Sequence, residues 1–367
     1  MFDPQDKEMS LLARAAEDFA KRELSPLREE HDRFPYGPFF QPVLEKAFEL
    51  DFFHILLPEA LGGMGMGIRA LCVVLNRIAR EDASLAAVIL THTFGQQILL
   101  ETGMEEALAE FNQESDSFMS QLLAFPLFND SGQVRHLVPM KNGSLDGRLE
   151  YLVLGGIAAG AVVPCVNGGS DEFAYALVEL ADPSITRGDP VLSHGLRACP
   201  AVDISFARTQ ARMAGKPGRG RHCFKTASNL MLLAPAAMGA GIMRGTLDEA
   251  LDYARLRKQG GRTIIGWSEV EMILAEMRHR LQVAEMVVEK ACDAVEAAAK
   301  NWQQLVRAAA VQVEETAVEV ASSGIQILGG VGYMKDFGQE KRFRDARQLK
   351  SCMGLAPLKK LALIRNA

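Results

Sequence analysis

The sequence has no pair of cysteines at CxxC spacing. Its six cysteines, Cys72, Cys165, Cys199, Cys223, Cys292 and Cys352, are scattered, which argues against a zinc ribbon or dithiol motif and predicts reduced, buried thiols. The seven histidines are dispersed without an HExxH pair, so no metal site is expected. Positive charge is in deficit: the formal net charge is −6, and binding of nucleic acid through a basic surface is not expected. No uninterrupted apolar run approaches about 20 residues, so no membrane span is expected. The start, Phe2-Asp3-Pro4-Gln5-Asp6-Lys7-Glu8, lacks the basic stretch and apolar core of a signal peptide. A cytoplasmic, water-soluble protein is the expectation. The glycine-rich bend from Pro58 to Gly67 is followed by no GKS or GKT and is not a phosphate loop.

What is present divides into three stretches, an α+β layout. Residues 1–118 carry apolar residues at helical spacing, as in Leu11, Leu12, Ala15 and Phe19. Helices are predicted over Ile68–Arg80 and Ser84–Glu101, with a loop at Phe34-Pro35-Tyr36-Gly37-Pro38. Residues 119–224 alternate short apolar runs with turn signals, namely Asn129-Asp130-Ser131-Gly132, Lys141-Asn142-Gly143 and Asn167-Gly168-Gly169. Strands are predicted at Leu152–Leu154, Ala161–Val163, Ala174–Leu180 and Val202–Phe206. Residues 225–367 return to helix. One long helix is expected from Thr226 to Lys258 with a kink at Pro235. A second runs from Ser268 to about Lys300, where Val270, Leu274, Met277, Leu281, Ala284, Val288 and Ala291 form a heptad seam. A third begins at Trp302 and breaks at Gly324, and a fourth from about Leu349 completes a bundle. Between the last two lie the glycine turn Gln326–Tyr333 and the charged run Lys341–Arg347.

Three motifs in this order carry a resemblance. They are Tyr253-Ala254-Arg255-Leu256-Arg257-Lys258-Gln259, the QxxGGxGY run from Gln326 to Tyr333, and Arg344-Asp345-Ala346. Pro58-Glu59 with Gly62-Gly63, and Gly195-Leu196-Arg197-Ala198, support them. The chain resembles the acyl-CoA dehydrogenase family over essentially its whole length. The resemblance implies a helical N-terminal part, a central β-barrel or sandwich and a C-terminal four-helix bundle. It also implies FAD, shared across a subunit interface, and α,β-dehydrogenation of an acyl-CoA substrate with an electron-transferring flavoprotein as acceptor. By motif match, Arg257, Gln326, Gly329 and Gly330 would reach the ADP end of a neighbour's FAD. A glycine turn lets backbone N–H groups approach a pyrophosphate, and arginine adds a forked, charged contact.

The sequence also departs from the family. The usual catalytic glutamate, eight residues after the aspartate of the RDA-like run, is Met353 here, and the less common position is Met231. Methionine accepts no proton. The flavin-ring segments correspond to Ala124–Gly132 and Tyr151-Leu152-Val153-Leu154 and lack the expected hydroxyls. The aromatic of the arginine motif is replaced by Gly260. Groups serving a neighbour's ADP remain, whereas groups serving this chain's own chemistry are missing. The pattern suggests a non-catalytic partner in a heterotetramer with a homologous active subunit. Alternatives are an active enzyme with a relocated base (Glu249, Asp252 or Glu101), a homo-oligomer, a flavin monooxygenase and a flavin-free scaffold. The acyl pocket is expected near His92-Thr93-Phe94-Gly95.

Overall fold

Leu12, Ala13, Ala16 and Phe19 are buried along one face of helix α1 (Lys7–Phe19), and the Asp6 carboxylate caps its start. The computed structural model describes residues 6–35, 40–113, 118–129, 137–167 and 172–365. Phe2–Gln5 and Tyr36–Pro38, with Asp130–Gly132 and Gly168-Gly169 of the expected turns, lie outside these residues. Beyond α1, irregular helical turns around Pro26 lead to α2 (Arg28–His31) and α3 (Gln41–Glu49). Then come α4 (Ile68–Glu81), α5 (Ala83–Glu101) and α6 (Glu105–Gln113). Asp82 links α4 to α5 and caps α5 by accepting the Ser84 N–H at 2.7 Å. Two helical segments, Ala83–Glu101 and Gly220–Leu256, reach the length and mean apolarity of a membrane span, although neither is an uninterrupted apolar run. Of the apolar window in each, 89% is buried inside the fold, so this apolarity serves the core.

The strands are β1 (Leu123–Ala124), β2 (Val138–Lys141), β3 (Ser144–Val153) and β4 (Gly160–Asn167), then β5 (Phe173–Glu179), β6 (Ile185–Pro190), β7 (Ala201–Gln210) and β8 (Arg212–Ala214). They form one mixed eight-stranded sheet in the order β6-β7-β3-β2-β4-β5-β8, with β1 parallel to β4. The turn between β2 and β3 is Asn142-Gly143, both at positive φ (50° and 77°), the backbone that a tight hairpin needs. Long strands β3 and β7 pair antiparallel with Leu149 opposite Ile204, and a register shift follows before Leu152. β4 and β5 are buried along most of their length because helices cover the sheet there.

The C-terminal part holds α7 (Gly220–Met231) and α8 (Leu233–Leu256), the short hairpin β9 (Lys258–Gln259) and β10 (Arg262–Thr263), then α9 (Ser268–Glu296), α10 (Trp302–Leu328), α11 (Gln339–Leu349) and α12 (Ala356–Arg365). The long helix expected from Thr226 is therefore two helices, divided at Leu232. Pro235 supplies no N–H to the Met231 carbonyl four residues earlier, so the break falls there rather than at proline. Leu274, Met277, Leu281, Ala284, Val288 and Ala291 of the heptad seam are buried on α9. The expected break at Gly324 is wrong: α10 continues to Leu328. A Cβ at Gly324 would lie 2.4 Å from Gln339 Oε1 and 2.5 Å from Thr246 Cγ2, so this glycine permits close helix packing. The charged run Lys341–Arg347 is itself helical, within α11.

Candidate functional site

α8 ends at Arg257, whose backbone turns extended (φ −69°, ψ 127°) and whose N–H donates to the Tyr253 carbonyl at 2.9 Å. α10 ends in the turn containing Gln326. Gly329 follows at φ 63°, ψ −135°, a conformation essentially restricted to glycine. The turn closes tightly, because a Cβ at Gly332 would lie 2.4 Å from the Ile325 carbonyl oxygen. These two helix ends and the start of α9 surround one groove of about 520 Å³, lined by all four expected residues, Arg257, Gln326, Gly329 and Gly330. Its volume lies within the usual range for cofactor sites. An added Cβ at Gly329 or Gly330 meets no atom within 4 Å, so both glycines open their backbone toward the groove. No carboxylate pairs with Arg257 among the described residues, and its guanidinium is exposed. The groove thus offers a free cation and a glycine cradle, which suit a phosphate-bearing group.

Two further groups line the groove without having been singled out in the sequence: Trp267 and Glu269. Glu269 lies in the first turn of α9, and its own backbone N–H and the Ser268 hydroxyl hold its carboxyl below the usual range. A Cβ at Gly260 would lie 2.7 Å from Trp267 Cζ2. The glycine that replaces the expected aromatic therefore makes room for an indole seven positions later. The one available signal was that the chain has only two tryptophans.

The flavin-ring end looks different. Met353 is 5% exposed and Met231 fully buried. Met353 adopts φ 53° and donates its N–H to the Leu127 carbonyl at 2.8 Å. Neither methionine lines the groove that holds Arg257 and the glycine turn. Tyr151 and Leu154 also have positive φ (54° and 64°). The Tyr151 phenol shares a hydrogen bond with Ser193 Oγ at 2.6 Å and accepts one from Gln348 Nε2 at 3.2 Å. Tyr151, Ser193 and Gln348 thus satisfy one another, whereas the buried Thr93 hydroxyl and His92 Nε2 have no hydrogen-bond partner among the described residues. His92, Thr93, Phe94 and Gly95 are all buried. His92 Nδ1 accepts the Leu123 N–H at 3.1 Å, and burial keeps its imidazole well below the usual histidine range.

The alternative bases are either hydrogen-bonded or exposed. Glu249 is shared among Arg28, Arg342 and the Gly338 N–H. Asp252 is exposed and pairs with Arg255, and Glu101 is exposed at the end of α5. One carboxyl with a raised proton affinity was not suggested by the sequence. Burial pushes Glu314 up to about 7, against the opposing charge of Lys359. Lys359 Nζ grips both of its oxygens, at 2.7 and 2.9 Å, and the residue is fully buried, so Glu314 belongs to an internal ion pair of α10 and α12.

α11 does different work. Lys341 donates to Asp82 Oδ1 at 2.9 Å and to Asp345 Oδ2 at 2.7 Å. Asp345 Oδ1 accepts the Leu196 N–H of the β part at 2.6 Å. Arg344 forks onto Asp32 (2.6 and 3.2 Å) and also reaches the His194 carbonyl. Buried charges on one helix thereby join the helical N-terminal part, the sheet part and the bundle. Gly195 permits the approach, because a Cβ there would lie 2.2 Å from the Arg344 carbonyl oxygen. Gly195→Ala is expected to cost about 1–3 kcal/mol or more, read as a lower thermal midpoint. Gly330→Ala, with open space around it, should leave that midpoint unchanged.

Comparisons with known proteins bear on the family and the fold. Residues 6–113 match the model for the acyl-CoA dehydrogenase N-terminal domain, and residues 218–355 that for the acyl-CoA dehydrogenase C-terminal domain. The chain is 27% identical over 374 residues to an acyl-CoA dehydrogenase of Bacillus subtilis, covering 97% of each. It is 25% identical to the caffeyl-CoA reductase-Etf complex subunit CarC of Acetobacterium woodii, covering 99% of this chain and 98% of the relative. Butyryl-CoA dehydrogenase from Megasphaera elsdenii shares the fold, with a TM-score of 0.87 at 18% identity, covering 100% of this chain and 99% of that one. With both terminal domains matched and the relatives aligned nearly end to end, this chain belongs to the acyl-CoA dehydrogenase family.

Proposed function

We propose that this chain is a subunit of an acyl-CoA dehydrogenase-type flavoprotein, and that it lends ADP-end contacts for FAD to a homologous, catalytically active subunit without performing the proton abstraction itself. The observation carrying this reading is the contrast between its two halves. Arg257, Gln326, Gly329 and Gly330 converge on one open groove, whereas Met353 and Met231 are packed into the core. Bound FAD would supply the hydride acceptor for α,β-dehydrogenation of an acyl-CoA thioester. This chain's residues would bind and orient its diphosphate: Arg257 by charge, Gln326 by hydrogen bonding and the two glycines through backbone N–H groups. Removal of the α-proton, which needs a positioned base, is assigned to the partner. An electron-transferring flavoprotein as acceptor is supported by the relative named as part of an Etf complex. Six free, buried cysteines suit the reducing cytoplasm that we propose for it.

Native mass spectrometry of the assembly tests this reading by giving subunit types and flavin count. Two subunit types with fewer flavins than chains are expected. Arg257→Ala should weaken FAD retention by about 10- to 100-fold, the worth of one charge-assisted contact, and Gln326→Ala by less. A purified chain that is yellow and by itself oxidises an acyl-CoA with an artificial acceptor would sink the non-catalytic assignment. Unchanged retention in both variants would sink the assignment of the groove.

A further inference from the structure

We propose that His54, His92 and Gln96 form an interior binding site for a bridging water molecule, which ties the turn after α3 to α5 and β1. His92 and Gln96 stand one turn apart on the same face of α5, and both are fully buried. Among the described residues, His92 Nε2, His54 Nε2 and both amide atoms of Gln96 have no hydrogen-bond partner. Buried polar groups in folded proteins are paired, by ordered water where not by protein. Four such atoms gathered on facing elements point to a partner of their own.

The two rings set the chemistry of that partner. His92 Nδ1 accepts the Leu123 N–H at 3.1 Å. Burial holds the ring neutral, so its proton sits on Nε2, which is a donor. His54 Nδ1 faces the Asp51 carboxylate at 3.7 Å, which draws the proton to Nδ1 and leaves Nε2 an acceptor. The partner must accept from His92 and donate to His54. A metal ion does neither, because His92 Nε2 has no lone pair to give, and an anion accepts without donating. Water does both. The ring centroids are 6.1 Å apart and tilted by 68°, too far for a direct N–H···N bond and a separation that one oxygen spans. Gln96 supplies a donor and an acceptor for the water's remaining positions. Phe48 lies 5.4 and 6.0 Å from the two rings, and Phe53 lies 5.5 Å from His92. These apolar walls suit a small neutral molecule rather than an ion. Leu123 begins β1, so His92 carries the link onward to the sheet and is a positioning residue.

NMR of the full-length chain with 15N-labelled histidines tests the proposal, with His54→Phe used for assignment. His92 is expected to be neutral and protonated on Nε2, with a cross-peak from that proton to water. The cross-peak should be lost in His54→Phe. A proton on His92 Nδ1, or an Nε2 proton with contacts to protein protons alone, would overturn the proposal. Gln96→Leu gives a second measurement. With water bound, the substitution strands the water's hydrogen bonds, and the thermal midpoint should fall by several degrees. In a dry interior, an unpaired amide would give way to an apolar side chain of similar size, and a midpoint that held or rose would sink the idea. His54→Leu combined with Gln96→Leu should cost less than the two singles summed, because both act on one water; strict additivity would count against it. The wild-type spectrum needs no variant, so it decides the matter even if a substituted chain fails to fold.

Discussion

Replacing Lys341 with methionine is expected to destabilise the fold by about 3–5 kcal/mol, the typical cost of breaking a buried ion pair from one side. The ammonium group lies between Asp82 and Asp345, and all three side chains are at most 5% exposed. Burial alone would lower the lysine's affinity for its proton, but the two carboxylates outweigh it and the net shift is upward. Without the cation, two buried carboxylates face each other unneutralised, one at the start of α5 and one on α11. The natural margin of a folded chain is only about 5–15 kcal/mol, so the variant should show a clear fall in denaturant midpoint and in soluble yield. Lys341→Met combined with Asp345→Asn gives the sharper test. Asparagine still offers an oxygen to the Leu196 N–H while removing one of the stranded charges, so the double variant should be less destabilised than the two singles summed. Strict additivity would mean that the three groups do not act as a unit.

The second large effect depends on pH. Glu314 is pushed up to about 7 from an ordinary 4.5 by burial, with Lys359 pulling the other way. Between those values the native state holds a proton that the unfolded chain has released. Its contribution is therefore fully present below pH 4.5 and is lost as pH rises through 7. Lys359→Met removes the only side chain among the described residues that hydrogen-bonds this carboxylate. The substitution also removes what holds the carboxyl's proton affinity down, so its penalty should be larger at pH 8, where Glu314 must take up a proton or stand as an unpaired anion, and should shrink or reverse at pH 5, where it is already protonated. Glu314→Gln should flatten the wild-type loss of stability between pH 5 and pH 8. Denaturant midpoints at the two pH values decide the matter, and a Lys359→Met penalty independent of pH would show that Glu314 does not titrate in this window.

Features set by neighbours along the chain were legible in the residues alone. The α9 seam is a period of side chains on one helix, and six of its seven positions are buried as read. Asn142-Gly143 specified its hairpin through backbone conformations that few other residues adopt. The order of the motifs carried the family and thus the fold. Arg257, Gln326, Gly329 and Gly330 were readable as candidates because their motifs are local.

What escaped the sequence depends on contacts between distant segments. Gly324 looks like a helix breaker, yet it is helical, because its missing Cβ leaves space for Gln339 and Thr246. The Lys341–Arg347 run has no apolar stripe to announce burial, and its charges are inside because partners from two other parts of the chain meet them. Glu314 and Lys359 are ordinary surface residue types until α12 closes over α10. Gly260 reads as a lost aromatic until Trp267 is seen beside it. Local backbone preference and periodicity, which each segment carries for itself, determined the elements and their order. The pairing of buried charges, the close approach of glycines and the groove at the ends of α8 and α10 were decided only by the tertiary structure, because each requires groups far apart in the chain to be desolvated together.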